Sequence, residues 1–327
     1  MTDRATLNQV TQIGVETTPG TAVAAKKRLP ALSITPGIQA SVNSFRPVGG
    51  KFATIAALGK EWVEASIEGA ACYNHIVYLL NSILTADAPA EQGATTAYKW
   101  EFVPAQNAAD DPVTFTVEQG SNVRAGKFVY GLVNSFTLDI DRESVTVGGS
   151  MIGQAYQDGI TMTASGVTDV PVQPIQPTEI DVFLDALSTN LGNTKLTRVL
   201  SLGVEVSDRY APVWTLNSAV DGFAAHVESA PTATITMLME ADAAGMGLLA
   251  AMRAGAKRFL RLQATGPTIA STYAYSLTWD VCLQVREVSE FSDEDGVYGI
   301  EWTFDIAYDA TWGKAMTVEL INKVSAL

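Results

Sequence analysis

The sequence predicts a mainly β chain made of two copies of one unit, each with a single helix. The evidence is two long alternating hairpins and one order of elements that occurs twice. Residues 277–285 (Leu-Thr-Trp-Asp-Val-Cys-Leu-Gln-Val) and 300–308 (Ile-Glu-Trp-Thr-Phe-Asp-Ile-Ala-Tyr) each alternate apolar and polar residues, on either side of the polar turn Ser292-Asp293-Glu294-Asp295-Gly296. Side chains on a strand point to opposite faces with period two, so each run has a dry and a wet face, and the pair reads as an antiparallel hairpin. The same device occurs earlier, where residues 136–141 alternate, Arg142-Glu143-Ser144 turns, and Val145-Thr146-Val147 leads on to Met151.

Taken in order, residues 1–29 read as an arm. Glu16-Thr17-Thr18-Pro19-Gly20-Thr21-Ala22 is turn-forming and has no period, so the segment is disordered or ordered by a neighbouring subunit. Leu32-Ser33-Ile34 starts the first strand. Residues 43–59, rich in Gly and Pro with Phe45 and Phe52, read as a long loop. From Trp62 alternation resumes, with Val63, Ala65 and Ile67 opposite Glu64, Ser66 and Glu68. The period then turns helical, and Cys72, Ile76, Leu79, Leu80 and Ile83 form one stripe of a helix over about 71–84. Residues 85–96 read as a loop, and strands follow at 98–103 and 113–118, before the first long hairpin.

Pro171, Pro174 and Pro177 recur every third residue in 166–178, which reads as an extended linker. Beyond it the elements repeat. Leu200-Ser201-Leu202 echoes Leu32-Ser33-Ile34, and a loop at 208–228 with Tyr210, Trp214 and Phe223 echoes 43–59. The strand ending at Glu240 echoes the one ending at Glu68, and a helix at about 242–254 echoes the first. Element order and spacing carry this duplication, since residue identity between the halves is low. The predicted division is an arm (1–29), a first unit (30–165), the linker (166–178) and a second unit (179–327).

The 327 residues are 47% hydrophobic and 17% charged, with a net charge of -14. That is enough apolar content for real cores under a weakly charged surface, which fits a protein covered by copies of itself. An acidic chain does not neutralise phosphates, which argues against binding to a phosphate backbone. Lys257, Arg258 and Arg261 form a local basic cluster and read as a solvated face. Cys72 and Cys282 lie far apart, have no metal-ligand spacing, and fit a reducing cytoplasm. The N-terminus has no signal-peptide core, and the nearest candidate for a membrane span, 77–84, is far short of the roughly 20 apolar residues needed.

No catalytic or cofactor site is expected. His75 and His226 have no nucleophile partner in a recognisable motif. Gly148-Gly149 inside a strand run marks a bulge and not a phosphate cradle. The segment 293–296 lacks the ligand spacing and closing Glu of a calcium loop, so it is a plain turn. The aromatics of the two long loops, Phe45, Phe52, Tyr210, Trp214 and Phe223, are assigned to packing between subunits, with sugar platforms as the alternative.

Several segments in sequence order resemble a known family. These are Gly14-Val15-Glu16-Thr17-Thr18-Pro19-Gly20-Thr21-Ala22-Val23, Leu29-Pro30-Ala31-Leu32, Leu132-Val133-Asn134-Ser135-Phe136-Thr137-Leu138, Tyr308-Asp309-Ala310 and Met316-Thr317-Val318-Glu319-Leu320-Ile321-Asn322. Together they resemble the tail tube (major tail) proteins of long-tailed, non-contractile bacteriophages, over nearly the whole chain. The resemblance implies two tandem β-sandwich or barrel domains, each with a flanking helix. It also implies a structural virion protein, assembled in the host cytoplasm, whose rings stack into the hollow tube through which DNA leaves the capsid. The implied partners are other copies of the chain, a tape measure protein, and tail tip and terminator proteins, with no cofactor and no membrane. DNA passes without specific binding.

Single-domain members form six-fold rings, so a duplicated chain should close as a trimer. A channel wall should repel phosphate, which assigns acids on the wet strand faces to the lumen. These are Glu64, Glu68 and Glu240 first, then Asp139, Asp141, Asp280, Glu301 and Asp305. Phe45, Phe52, Tyr210, Trp214 and Phe223 are assigned to contacts between successive rings. The alternative is a two-domain carbohydrate-binding or adhesion module of a virion or cell surface.

Overall fold

A computed structural model of the chain describes residues 8–85, 87–216 and 222–327. The first half runs β1 (Val10–Val15), β2 (Lys27–Arg28), β3 (Leu32–Phe45), β4 (Ile55–Ala70), α1 (Ile76–Ile83), β5 (Ala90–Glu91), β6 (Tyr98–Phe102), β7 (Phe115–Gly120), β8 (Ala125–Ile140) and β9 (Val145–Asp158). The second runs β10 (Thr168–Asp169), β11 (Ile180–Asp185), β12 (Lys195–Leu196), β13 (Val199–Ser207), β14 (Tyr210–Val213), β15 (Ala225–Glu228), β16 (Thr232–Glu240) and α2 (Ala243–Ala254). It ends with β17 (Lys257–Ala270), β18 (Tyr273–Val288), β19 (Ser292–Glu294), β20 (Val297–Ile306) and β21 (Met316–Asn322). The chain is mainly β, and its sheet is not closed into a barrel.

Four strands in each half stand in the same order. In the first half the order is β3-β4-β9-β8, and in the second it is β13-β16-β20-β18. The second strand of each run leads into the helix. The two runs join directly, because Phe136–Ile140 of β8 pairs with Leu202–Val206 of β13. β21 also returns to the first half and pairs with β6. Every link is antiparallel, so the wet face of one strand continues as the wet face of the next. On the dry side Val147, Leu138, Val204, Ile235, Phe304 and Val285 follow one another across the strands, all buried. They belong to one hydrophobic cluster that spans both halves and includes Trp100, Trp279 and Trp302.

The helices differ. All eight residues of α1 are buried, where the sequence predicts one apolar stripe. Its polar members have internal partners. Ser82 Oγ accepts from the Val133 N–H at 2.9 Å, and Asn81 Nδ2 donates to the Val77 carbonyl at 3.0 Å. In α2 only Gly245, Leu248 and Ala251 are buried. That helix is closed by local chemistry: Asp242 accepts from the Ala244 and Gly245 N–H groups, and Gly255 takes the left-handed cap at φ 59°.

Several expectations change. Residues 10–15 need no neighbouring subunit, since β1 pairs along its length with β7 and buries Thr11, Gln12 and Ile13. The 43–59 loop is shorter, because β3 and β4 stay paired out to Phe45 and Ile55. The long partner of β18 is β17, while β20 meets only its last residues, Leu283–Val288. A strand with two neighbours alternates identically toward both, so periodicity alone does not choose between them. Finally, segment 166–178 is extended but docked. β10 lies parallel to β2, Val170 and Ile175 are buried, and the Ile175 N–H donates to the Ala71 carbonyl at 2.8 Å. The bulge expected at Gly148-Gly149 lies instead at Asn134 on the partner strand, since both glycines stay in register with Thr137 and Phe136 and with Glu68 and Ile67. The β8–β9 register shifts between Val133 and Ser135, and Gly149 sits at φ 149°, where a Cβ would lie 2.1 Å from the Ser135 carbonyl oxygen.

Candidate functional site

The wet face of the shared sheet crosses both halves. One row of paired positions runs Ser33, Glu68, Gly148, Thr137, Glu205, Thr234, Asp305, Gln284 and Lys257. A neighbouring row contains Thr146, Asp139, Gly203, Thr236 and Thr303. Acids, hydroxyls and glycines dominate, so the face presents negative charge on a smooth polar ground.

The expected acids divide by environment. Glu64, Glu68, Asp139 and Glu301 are exposed on strands, and among the described residues none forms an ion pair. Glu64 accepts from Trp62 Nε1 at 2.8 Å. Glu240 is half-buried and paired with Arg198 at 2.8 Å, and Asp305 is paired with Arg286 at 2.8 Å. Asp280 is buried, and its two oxygens accept from Arg261 Nε and Nη2, both at 2.7 Å, so its charge is already met inside the chain. Asp141 closes the β8–β9 turn. The N–H groups of Ser144 and Glu143 donate to it and hold its carboxyl below the usual range.

The aromatics also divide. Phe45 and Phe52 are 61% and 80% exposed at the tip of the β3–β4 hairpin. Tyr210 and Phe223 are buried within the chain, which removes both side chains from any contact between rings. They belong to the β14–β15 hairpin, which folds back onto the first half and packs on Tyr130, Leu132 and Ile152. Trp214 is half-buried at the rim of this cluster, 5.7 Å from Trp62 between ring centroids.

Two polar centres escape a reading of periodicity. At the base of the folded hairpin Arg209, 4% exposed, forms ion pairs with Asp110 and Glu228. Its Nε also donates to the Ile83 carbonyl at 3.0 Å, and Nη2 to that of Leu84 at 3.4 Å. A residue of the second half therefore satisfies the end of the first-half helix. Burial pushes the Asp110 carboxyl up, against the Ala105 N–H and the Arg209 cation, which pull it down. The second centre is Glu16. Its Oε1 accepts from Thr116 Oγ1 at 2.9 Å and the Tyr130 N–H at 3.0 Å, and its Oε2 from Thr114 Oγ1 at 2.9 Å and the Gly20 N–H at 2.8 Å. The turn-forming segment 16–22 is thus a staple that fastens β1 to β7 and β8. The signal for it was Glu16 itself, an acid four residues before a turn glycine.

Burial lowers the His75 imidazole to about 4 and raises the Cys72 and Cys282 thiols to about 11. Among the described residues no group of His, Cys, Asp or Glu is arranged to hold a metal ion, and no helix is long and apolar enough to cross a membrane.

No curated protein matches the sequence. The family model described as Phage tail tube protein matches residues 6–312. That match takes in the Glu16 staple, both four-strand runs and both helices, so the chain belongs to the phage tail tube protein family.

Proposed function

We propose that this structural tail component assembles into closed rings of three chains, stacked into the tube that conducts DNA during ejection. One observation carries the reading. Inside the chain, the end of β8 pairs with β13 and joins the two four-strand runs. The corresponding strands at the outer limits of the runs are β18 and β3, and both have open edges. Among the described residues β3 forms a ladder with β4 alone, although Thr11 Oγ1 accepts from the Ile34 N–H near its start, and β17 accompanies β18 only as far as Gln284. Unpaired strand edges are templates for another chain. If β3 of a second copy adds to the end of β18, the internal junction is repeated between copies. Such a contact is head-to-tail, and three two-unit chains close it into a pseudo-six-fold ring.

In this ring the continuous wet face lines the channel, and Glu64, Glu68, Asp139 and Glu301 supply its negative charge. The duplicated element order supports treating 30–165 and 179–327 as the two ring units, joined by the docked segment 166–178. The tape measure protein would occupy the lumen, and terminator and tip proteins the two ends. Native mass spectrometry of rings, with particle symmetry from electron microscopy, tests the stoichiometry. Three chains per ring are expected, and six whole chains would refute the trimer.

A further inference from the structure

The two ends of the sheet are chemically opposite. The β3–β4 hairpin extends beyond the wet-face row as a finger. From Glu68 in that row to Ile55 at the tip is roughly 40 Å at ~3.3 Å per residue. Its tip exposes Phe45, Val48, Phe52 and Ile55. Arg46, Lys51 and Lys60 lie on it, and no acid occurs between Glu16 and Glu61. In a chain of net charge -14, this is a cationic, apolar projection.

β20 runs antiparallel to β16, and the alternation across the sheet makes it antiparallel to β4 as well. The start of β20 at Val297 therefore lies at the end opposite the finger, roughly 25 Å beyond Asp305 of the same row at ~3.3 Å per residue. There the β19–β20 hairpin carries an exposed aromatic pair. Phe291 is 59% exposed, Tyr298 is 75% exposed, and their rings stand edge to face at 6.2 Å. Glu287, Glu290, Asp293, Glu294 and Asp295 lie close to the pair in sequence, and no Lys or Arg occurs between Arg286 and Lys314. Asp293 accepts from the Gly296 N–H at 2.7 Å, so the turn is built and its charge stays at the surface.

We propose that the β19–β20 hairpin is the seat for the β3–β4 finger of a second copy of this chain, in the next ring of the stack. The inference rests on the ring-forming reading above. Aromatic and aliphatic groups at both ends supply apolar area, and opposite charge selects the pairing and its direction. Because finger and seat occupy opposite ends of one sheet, the contact is head-to-tail along the strands and does not close, which is the geometry of an open stack. It also gives the Asp293-Glu294-Asp295-Gly296 turn a task beyond reversing the chain.

Charge reversal in the full chain tests this, with tube length and ring count read by electron microscopy. R46E/K51E alone and E290K/E294K alone should each leave rings and shorten tubes at least tenfold, and mixing preformed rings of the two variants should lengthen tubes again, because the rings can alternate and each finger then meets a seat of opposite charge. All four changes in one chain should restore tubes, because every finger then meets a reversed seat. Tubes of normal length from R46E/K51E, or no recovery in the four-fold variant, would overturn the proposal. A second measurement does not depend on charge. Phe52→Cys with Tyr298→Cys should give disulfide-linked oligomers on oxidation of assembled tubes, since the native Cys72 and Cys282 are buried. A wholly monomeric product would count against the seat. Shortened tubes built of six-chain rings would refute the trimer and still support the seat.

Discussion

The β3–β4 hairpin and the β14–β15 hairpin occupy the same place in the repeated order, each rising from the first two strands of its run. One stands free and the other is folded down. β3 and β4 continue as one ladder to the tip, interrupted by a single register shift at Ser41 and Val42. In the second half the chain bends at Asp208, which takes φ 56° and whose carbonyl accepts from Ser229 Oγ. The bend turns Tyr210 and Phe223 onto the first-half sheet, where Tyr210 N–H donates to Asn134 Oδ1 at 2.8 Å. The difference shows that two hairpins at matching places in the strand order can differ in fate, one packed on the chain's own first half and the other left exposed. It also accounts for the unequal helices. The folded hairpin brings Arg209 to the end of α1, whose eight residues are all buried, whereas α2 buries Gly245, Leu248 and Ala251 and is capped by its own Asp242 and Gly255.

Removing the clamp under the folded hairpin should have the largest effect. Arg209→Ala leaves the Asp110 carboxylate and the Ile83 and Leu84 carbonyls without their cation, in a buried setting. Breaking one partner of a buried ion pair costs about 3–5 kcal/mol. Denaturant unfolding should show that loss, with the Tyr210 and Phe223 cluster opening first. A change below about 1 kcal/mol would mean the hairpin is held by its aromatics alone.

The comparison of the helices is sharpened by pH. His75 precedes α1 with both ring nitrogens buried and without hydrogen-bond partners among the described residues. Burial lowers its pKa from 6.5 to about 4. The folded state thus binds this proton more weakly than the unfolded chain. The stability involved is fully present above pH 6.5 and is lost as pH falls toward 4, by about 3 kcal/mol in all. His75→Leu should remove that component from the pH dependence of unfolding, while the carboxylate-linked loss below pH 4 remains. Equal slopes between pH 6.5 and 4 in both proteins would refute the assignment.

The sequence displays what depends on periodicity. Val63, Ala65 and Ile67 against Glu64, Ser66 and Glu68 gave both faces of β4 correctly, because burial on one side imposes period two. The free acids on the shared face were legible for the same reason. What stayed hidden depends on distant partners. Arg209 reads as an ordinary surface cation until Asp110, 99 residues away, is placed beside it. Asp280 reads as a wet-face acid until Arg261 neutralises it across the ladder. Tyr210 and Phe223 look like Phe45 and Phe52 in composition and loop context. Their fates differ because the first half offers Tyr130, Leu132 and Ile152 as a landing surface. Glu16 was hidden because hydrogen bonds, and not apolar spacing, fix its segment.

The smallest expected effect on stability is the sharpest test of the free finger. Phe52 is 80% exposed, so Phe52→Ser removes almost no buried area and should change unfolding stability by no more than about 0.5 kcal/mol. Phe223, at the matching place in the folded hairpin, is 1% exposed, and Phe223→Ala should cost about 3–5 kcal/mol. The two substitutions should reverse order when assembly is the readout. Phe52→Ser leaves a folded chain that still closes rings through its strand edges but stacks poorly, so sedimentation should show rings accumulating at the expense of tubes. If Phe52→Ser destabilises the isolated chain by more than about 2 kcal/mol, the finger packs on its own molecule, and the contrast between the two hairpins fails. If it leaves both stability and tube length unchanged, the finger is exposed but idle, and stacking must be carried by other residues of the two sheet ends.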